Sequence, residues 1–224
     1  MVERMSTAPT AIQFDALWAI TNIASGTSDQ TAQVVPALPI IARLIRSPNQ
    51  EVSEQAVWAV GNIAGDSTAL RDSVLEAGAL VSLVGILDQL ALKAKQKISL
   101  LRNAVWTISN CCRGKPQPPL ELVRPALPGL AKVIWEADAE VVADACWALS
   151  YLSDGPDERL QAVIDAGVLT QVVRFLGLSL LFPIAARVAL ISMLRAYLAG
   201  AAAGARGGER RHSGAAHGGQ PCDR

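Results

Sequence analysis

Gln55–Asp66, reading QAVWAVGNIAGD, sets the pattern for the whole chain, because three relatives of it recur: FDALWAITNIASG from Phe14, NAVWTISNCCRG from Asn103 and DACWALSYLSDG from Asp144. On a helical wheel of about 100° per residue, with Trp58 at zero, Ala56, Val57, Ala59, Val60, Ile63 and Ala64 all fall on the far side. That side is predicted to be core. Asn62, one turn after Trp58, lies about 40° from it and shares its face. The same two positions hold Trp18 and Asn22, Trp106 and Asn110, and Trp147 and Tyr151 in the other copies. A single Trp placed this way would be read as packed between neighbouring helices, since Trp is usually well buried. Four in register, three of them with Asn beside them, read instead as an exposed binding surface.

The composition leaves room for one or two ordinary domains or several repeats: 224 residues, 51% apolar, 4% aromatic. Twenty basic and twenty acidic residues balance, so no global field draws the chain to nucleic acid or to a membrane. Cys111, Cys112 and Cys146 lie on the apolar side of repeat helices and Cys222 lies in the tail. No CxxC pair or Cys/His set has metal-ligand spacing, so no metal or cofactor is expected, and the thiols read as reduced core residues of an intracellular protein. The first ten residues lack an apolar run of signal-peptide length. Phe175–Ala186 is apolar, but Arg174, Pro183 and Arg187 confine it well below the roughly 18 residues of a membrane helix.

Trp18, Trp58, Trp106 and Trp147 are 40, 48 and 41 residues apart. A period near 40 to 47 with helical patterning belongs to armadillo or HEAT solenoids rather than to 34-residue units. Within one period the sequence predicts a short helix, a second helix and the long Trp helix. Gly78 and Gly167 stand between the first two, where a sharp turn suits glycine; two other periods carry PALP there, at Pro36–Pro39 and Pro125–Pro128. The 48-residue spacing predicts an extra solvated loop over Asp88–Ser99.

Stacked indoles one repeat apart leave slots for the aliphatic stems of Lys or Arg, with cation–π attraction of roughly 0.5 to 2 kcal/mol each. Between the slots, Asn22, Asn62 and Asn110 can each offer a donor and an acceptor to an extended peptide backbone. Selectivity for Lys needs an anion at the end of a slot, and Asp66 projects from the end of its helix beside the preceding loop; taken alone it also suits a helix-end or turn aspartate.

The runs NIASGTSDQT, EQAVWAVGNIAGD, RNAVWTISNCCRGKPQPP and DACWALSYLSDG resemble, in order, the second to fifth armadillo repeats of the importin alpha family, over about Phe14 to Gly177. The resemblance implies an all-α, right-handed superhelical solenoid whose third helices line a concave groove for basic nuclear localisation signal peptides, and a cytoplasmic and nuclear location. It also implies that Asp66, the Gly26 carbonyl and the Thr31 hydroxyl form a pocket for one Lys, and that Ser25, Gln55, Glu140 and Asp144 flank the groove.

The resemblance places an Arg/Lys-rich segment for importin beta before the first repeat, and such a segment is expected to be absent here. Residues 1–10 are expected to be disordered, 11–177 to form the repeats, 178–199 a partial or divergent further repeat, and 200–224 a low-complexity disordered tail. The helices shielding Phe14, Leu17 and Ile20 are expected to be missing. A short working adaptor, a truncated product and a scaffold for other proteins stay open at this point.

Other classes fit less well. An aromatic groove for RNA would be basic, whereas Asp15, Glu54, Asp66, Asp144 and Asp154 face Arg102 and Arg113 here. Enzymatic chemistry is not expected, because both histidines, His212 and His217, lie in the tail and Gly114-Lys115 lacks the rest of a phosphate loop.

Overall fold

The computed structural model describes residues 5, 7–92, 97–135, 138–168 and 171. Among the described residues every regular element is helical: α1 Thr10–Ile23, α2 Ser28–Gln33, α3 Leu38–Leu44, α4 Gln50–Asp66, α5 Thr68–Glu76, α6 Ala79–Leu92, α7 Ile98–Cys112, α8 Leu120–Val123, α9 Leu127–Val133, α10 Ala139–Ser153 and α11 Asp157–Asp165. None of these is by itself long and apolar enough to cross a membrane. The four Trp helices α1, α4, α7 and α10 pack against one another in chain order, and α3, α6 and α9 form a second layer behind them.

Local sequence sets the boundaries. Asn49 and Asp138 accept backbone N–H bonds as N-caps of α4 and α10, and Ser67 does so for α5, each satisfying a donor that a helix start leaves unpaired. Thr27 and Gln30 form a reciprocal capping box at α2. Gly78 and Gly167 adopt φ values of +74° and +78°, as expected for the reversal after the first helix of each unit. The two PALP segments run as single 3₁₀ turns, Val35–Ala37 and Arg124–Ala126, leading into α3 and α9. Both ends of the expected loop over Asp88–Ser99 are helix, α6 continuing to Leu92 and α7 beginning at Ile98, because Leu87 and Leu90 carry the apolar stripe of α6 past Asp88 and are buried; residues 93–96 lie outside the described residues.

The core is one continuous apolar cluster running from Leu17 to Val168. Ala56, Val57, Ala59, Val60, Ile63 and Ala64 are all in it, the most exposed at 4%. Cys111, Cys112 and Cys146 are buried free thiols. Burial pushes Cys111 and Cys146 up to about 12 and raises Cys112 as well, so they are un-ionised apolar packing groups with little nucleophilic character. Cys222, Gly177 and both expected segments beyond residue 177 lie outside the described residues.

The first unit departs from expectation in detail. Leu17 is fully buried, and besides Trp18 the large apolar side chains that α1 leaves open are Ile12 and Ile23. Met5 packs against the core, and its carbonyl accepts from Gln13. Each unit of a solenoid is held by its neighbours, and α1 packs chiefly on α4 alone. Amide exchange is therefore expected to be faster in α1 than in α4 and α7; equal protection of the three helices would contradict this.

Candidate binding groove

The exposed edge of the Trp layer forms the candidate site. Trp18 and Trp58 are 52% and 46% exposed, well above an ordinary indole, whereas Trp106 and Trp147 are half-buried. Trp147 stacks on Tyr151 at 5.7 Å between ring centroids. The Trp106 ring lies directly over Gly61, where an added methyl would strike the ring and come within 2.6 Å of Thr107 Oγ1. Small residues stand three after each Trp, at Thr21, Gly61, Ser109 and Ser150, which is the sequence signal for this berth.

The amide ladder is more deeply involved in packing than its helical face suggests. Asn62 Nδ2 donates to the Thr21 carbonyl at 3.3 Å, and Asn110 Nδ2 donates to the Gly61 carbonyl at 3.2 Å. Thr107 Oγ1 and Arg113 Nη2 donate in the same way to the carbonyls of Val57 and Gly65, at 3.2 and 2.6 Å. Side chains at 107, 110 and 113 thus rivet α7 to carbonyls 57, 61 and 65 along α4. Asn110 is 5% exposed, and Gln55, expected at the groove edge, is also buried, its Nε2 donating to Thr21 Oγ1 at 2.7 Å. Each riveting Asn uses one of its two N–H donors in this way. Asn22 is exposed.

Two cavities open along this edge, each lined by one Trp side chain. One, of about 330 Å³, is lined by the loop from Ala24 to Gly26, by Gly61, Asn62, Gly65 and Asp66 of the next unit, and by Trp106, Asn110 and Arg113 of the unit after that. It brings together Ser25, Gly26, Asn62, Asp66, Trp106 and Asn110 of the expected residues. Asp66 Oδ1 accepts from Ser28 Oγ at 3.1 Å, while Oδ2 is buried and takes no hydrogen bond among the described residues. A buried carboxylate oxygen without a donor is costly, so Asp66 keeps acceptor capacity that no described residue takes up. Thr31 is not part of this cavity wall: it is fully buried, and its hydroxyl lies 3.1 Å from the Thr27 carbonyl and 3.4 Å from that of Ala24. Its single hydroxyl proton therefore goes to the backbone, and it props the loop from behind.

The second cavity, of about 310 Å³, is lined by Phe14, Glu51, Glu54, Gln55, Trp58 and Asn103. Phe14, Glu51, Glu54 and Asn103 were not among the expected site residues, although Glu54 was placed on the Trp face. Glu51, Glu54 and Trp58 stand at i, i+3 and i+7, one face of a helix, and that spacing could have shown them.

Charges on the groove face sort themselves by pairing. Arg102 grips Asp138 through Nε and Nη2 at 3.1 and 2.6 Å and reaches Glu140 at 3.3 Å. This grip holds the Asp138 carboxyl below its usual range. Lys115 pairs with Asp154 at 2.6 Å. Among the described residues, Glu51, Glu54, Asp66 and Asp144 have no cationic partner, which leaves the groove acidic. Asp144 is half-buried, and burial, with Glu140 nearby, raises it to about 6.

Stacked helical units with a layer of third helices facing one acidic, Trp-lined groove define an armadillo-type repeat protein. The HEAT-like repeat family matches residues 10–63. A designed armadillo repeat protein solved in complex with a (KR)4 peptide superposes at a TM-score of 0.74, with 28% identity, over 88% of this chain and 80% of its own. A second designed armadillo repeat protein superposes at 0.76 with 27% identity, over 87% and 79%. Importin subunit alpha-2 of Arabidopsis thaliana and importin subunit alpha-1b of Oryza sativa subsp. japonica are each 55% identical over 167 residues, 74% of this chain. The chain spans about 30% of the length of these relatives. Its repeats belong to the importin alpha family.

Proposed function

We propose that the groove binds extended Lys/Arg-rich peptides of the kind that act as nuclear localisation signals, and that these repeats serve as the cargo-holding part of a nuclear import adaptor. The observation that carries this reading is the Asp66 carboxylate, which has no cationic partner among the described residues, lining the same cavity as Trp106 and Asn110. A Lys stem would lie along the indole and bring its ammonium to that carboxylate. Glu51 and Glu54 beside Trp58 would serve a second cation. The side-chain amides of Asn22, Asn62 and Asn110 would hold the peptide main chain between these points. Ser25, Trp18, Asp144, Trp147 and Tyr151 would extend the surface along the same line. The relatives' names and the (KR)4 complex of a designed neighbour support the same class of ligand. Cytoplasm and nucleus are the compartments this function requires. Importin beta is the partner the family implies, outside the groove.

The competing reading is an armadillo scaffold for proteins without basic segments. Intrinsic Trp fluorescence titrated with the peptide KKKRK, and separately with an acidic peptide and with single-stranded RNA, distinguishes them. Saturable binding of the basic peptide alone is the expected result. Equal binding of RNA, or no binding of the basic peptide, would overturn the reading.

Binding is also expected to depend on pH through Asp144. Its folded-state value of about 6 lies above the ordinary 3.8, so folding favours its protonated form. Its contribution to stability is therefore fully present below the unfolded value and fades as pH rises through about 6. Peptide affinity should run the opposite way, because a ligand cation needs the carboxylate: it should rise from pH 5 to 7.5 and then level off. Asp144→Asn should flatten that rise, and an unchanged profile in this variant would exclude Asp144 as its source.

A further inference from the structure

We propose that Ser28 is a positioning residue for Asp66, its hydroxyl fixing the carboxylate in the orientation in which it receives a ligand ammonium. This rests on the reading of the groove given above. The two residues are 38 apart in sequence and belong to consecutive units, yet Ser28 Oγ donates to Asp66 Oδ1 at 3.1 Å. The companion oxygen Oδ2 is the one left buried and unpaired. A carboxylate held at one oxygen cannot rotate freely about its Cβ–Cγ bond, so the ordering needed to receive a cation is already in place before binding. Ser28 is itself fixed, since it opens α2 directly after Thr27, whose capping box with Gln30 has bonds of 3.3 and 2.9 Å. Gly26 is required there because a side chain on it would collide with the Gln30 amide that completes the box. Without the Ser28 hydroxyl, Asp66 would be free to turn toward the Arg113 guanidinium, which lines the same cavity, and a ligand would then have to break that pairing.

The test uses the full chain with fluorescein-labelled KKKRK and its single Lys→Ala variants, on wild type, Ser28→Ala, Ser28→Thr, Asp66→Ala and the Ser28/Asp66 double variant. Ser28→Ala should weaken KKKRK binding by about 3- to 10-fold with an unchanged melting temperature, because the Thr27 cap remains. Ser28→Thr should restore wild-type affinity. In the Asp66→Ala background, removal of Ser28 should cost nothing further. Wild-type affinity in Ser28→Ala, or an equal loss whether or not Asp66 is present, would overturn the role of Ser28 while leaving the groove reading intact. If Asp66→Ala binds KKKRK as wild type does, the groove reading falls as well.

Discussion

Arg71→Ala is expected to destabilise the protein by about 3 to 5 kcal/mol. Arg71 is 1% exposed, a rare condition for a guanidinium. It is accommodated because Nη1 donates to the Arg113 carbonyl at 2.6 Å, Nη2 to the Pro116 carbonyl at 3.0 Å, and Nε and Nη2 to Asp72 at 2.9 and 2.7 Å. The two carbonyls belong to the loop between α7 and α8, one unit further on. The same loop is held from the other side by Arg159, whose Nη2 donates to the Pro118 carbonyl. Hydrogen bonds to a charged group contribute roughly 1.5 to 3 kcal/mol each, and truncation to Ala removes two that cross between units. It also leaves a cavity where the buried guanidinium was, and the two loop carbonyls lose their donor. The ion pair with Asp72 adds less, because the Asp72 carboxylate is 43% exposed and stays hydrated once the guanidinium is gone. Urea denaturation should show the loss as a lower midpoint with an unchanged slope. An Arg71→Ala midpoint within about 1 kcal/mol of wild type would mean that the loop is held by packing alone.

Much of the fold was legible because it rests on periodicity. The core stripe around Trp58 follows from the 3.6-residue repeat, and the turns at Gly78 and Gly167 follow from the need for a left-handed backbone. Periodicity gives the face of a residue and not the use a neighbouring helix makes of it. Asn110 sits on the Trp face and yet is buried, because the next helix over offers the Gly61 carbonyl. Arg71 stands in a short amphipathic helix and reads as solvated until the loop 42 to 45 residues later is folded over it. Asp66 was found from its place at the helix end, but Ser28 was not, since a single hydroxyl 38 residues away has no pattern of its own. Thr31 was placed in the pocket by resemblance, and the bond its hydroxyl donates to the loop backbone does not use the acceptor capacity of its oxygen.

Asp66→Ala carries the largest expected effect on binding. The variant removes the one carboxylate that lines the cavity beside Trp106, and a hydrogen bond to a charged group is worth roughly 1.5 to 3 kcal/mol, so affinity for KKKRK should fall about 10- to 150-fold. Folding should scarcely change, because the deleted group leaves behind only the exposed Ser28 hydroxyl. Asn62→Ala should behave differently. It loses the bond to the Thr21 carbonyl as well as a contact to the peptide main chain, so it should lower stability and weaken every extended peptide, whatever its side chains. That contrast separates a side-chain anchor from a backbone clamp.

The central claim, that Asp66 receives a particular peptide Lys, is tested most directly by a double-mutant cycle. Affinities of wild type and Asp66→Ala would be measured by fluorescence titration against KKKRK and each single Lys→Ala peptide at low and physiological salt. One Lys position should show a strong coupling to Asp66, its replacement costing wild type tenfold or more and the Asp66→Ala variant little, since the pair is already broken. Additive losses at every Lys position would contradict the claim.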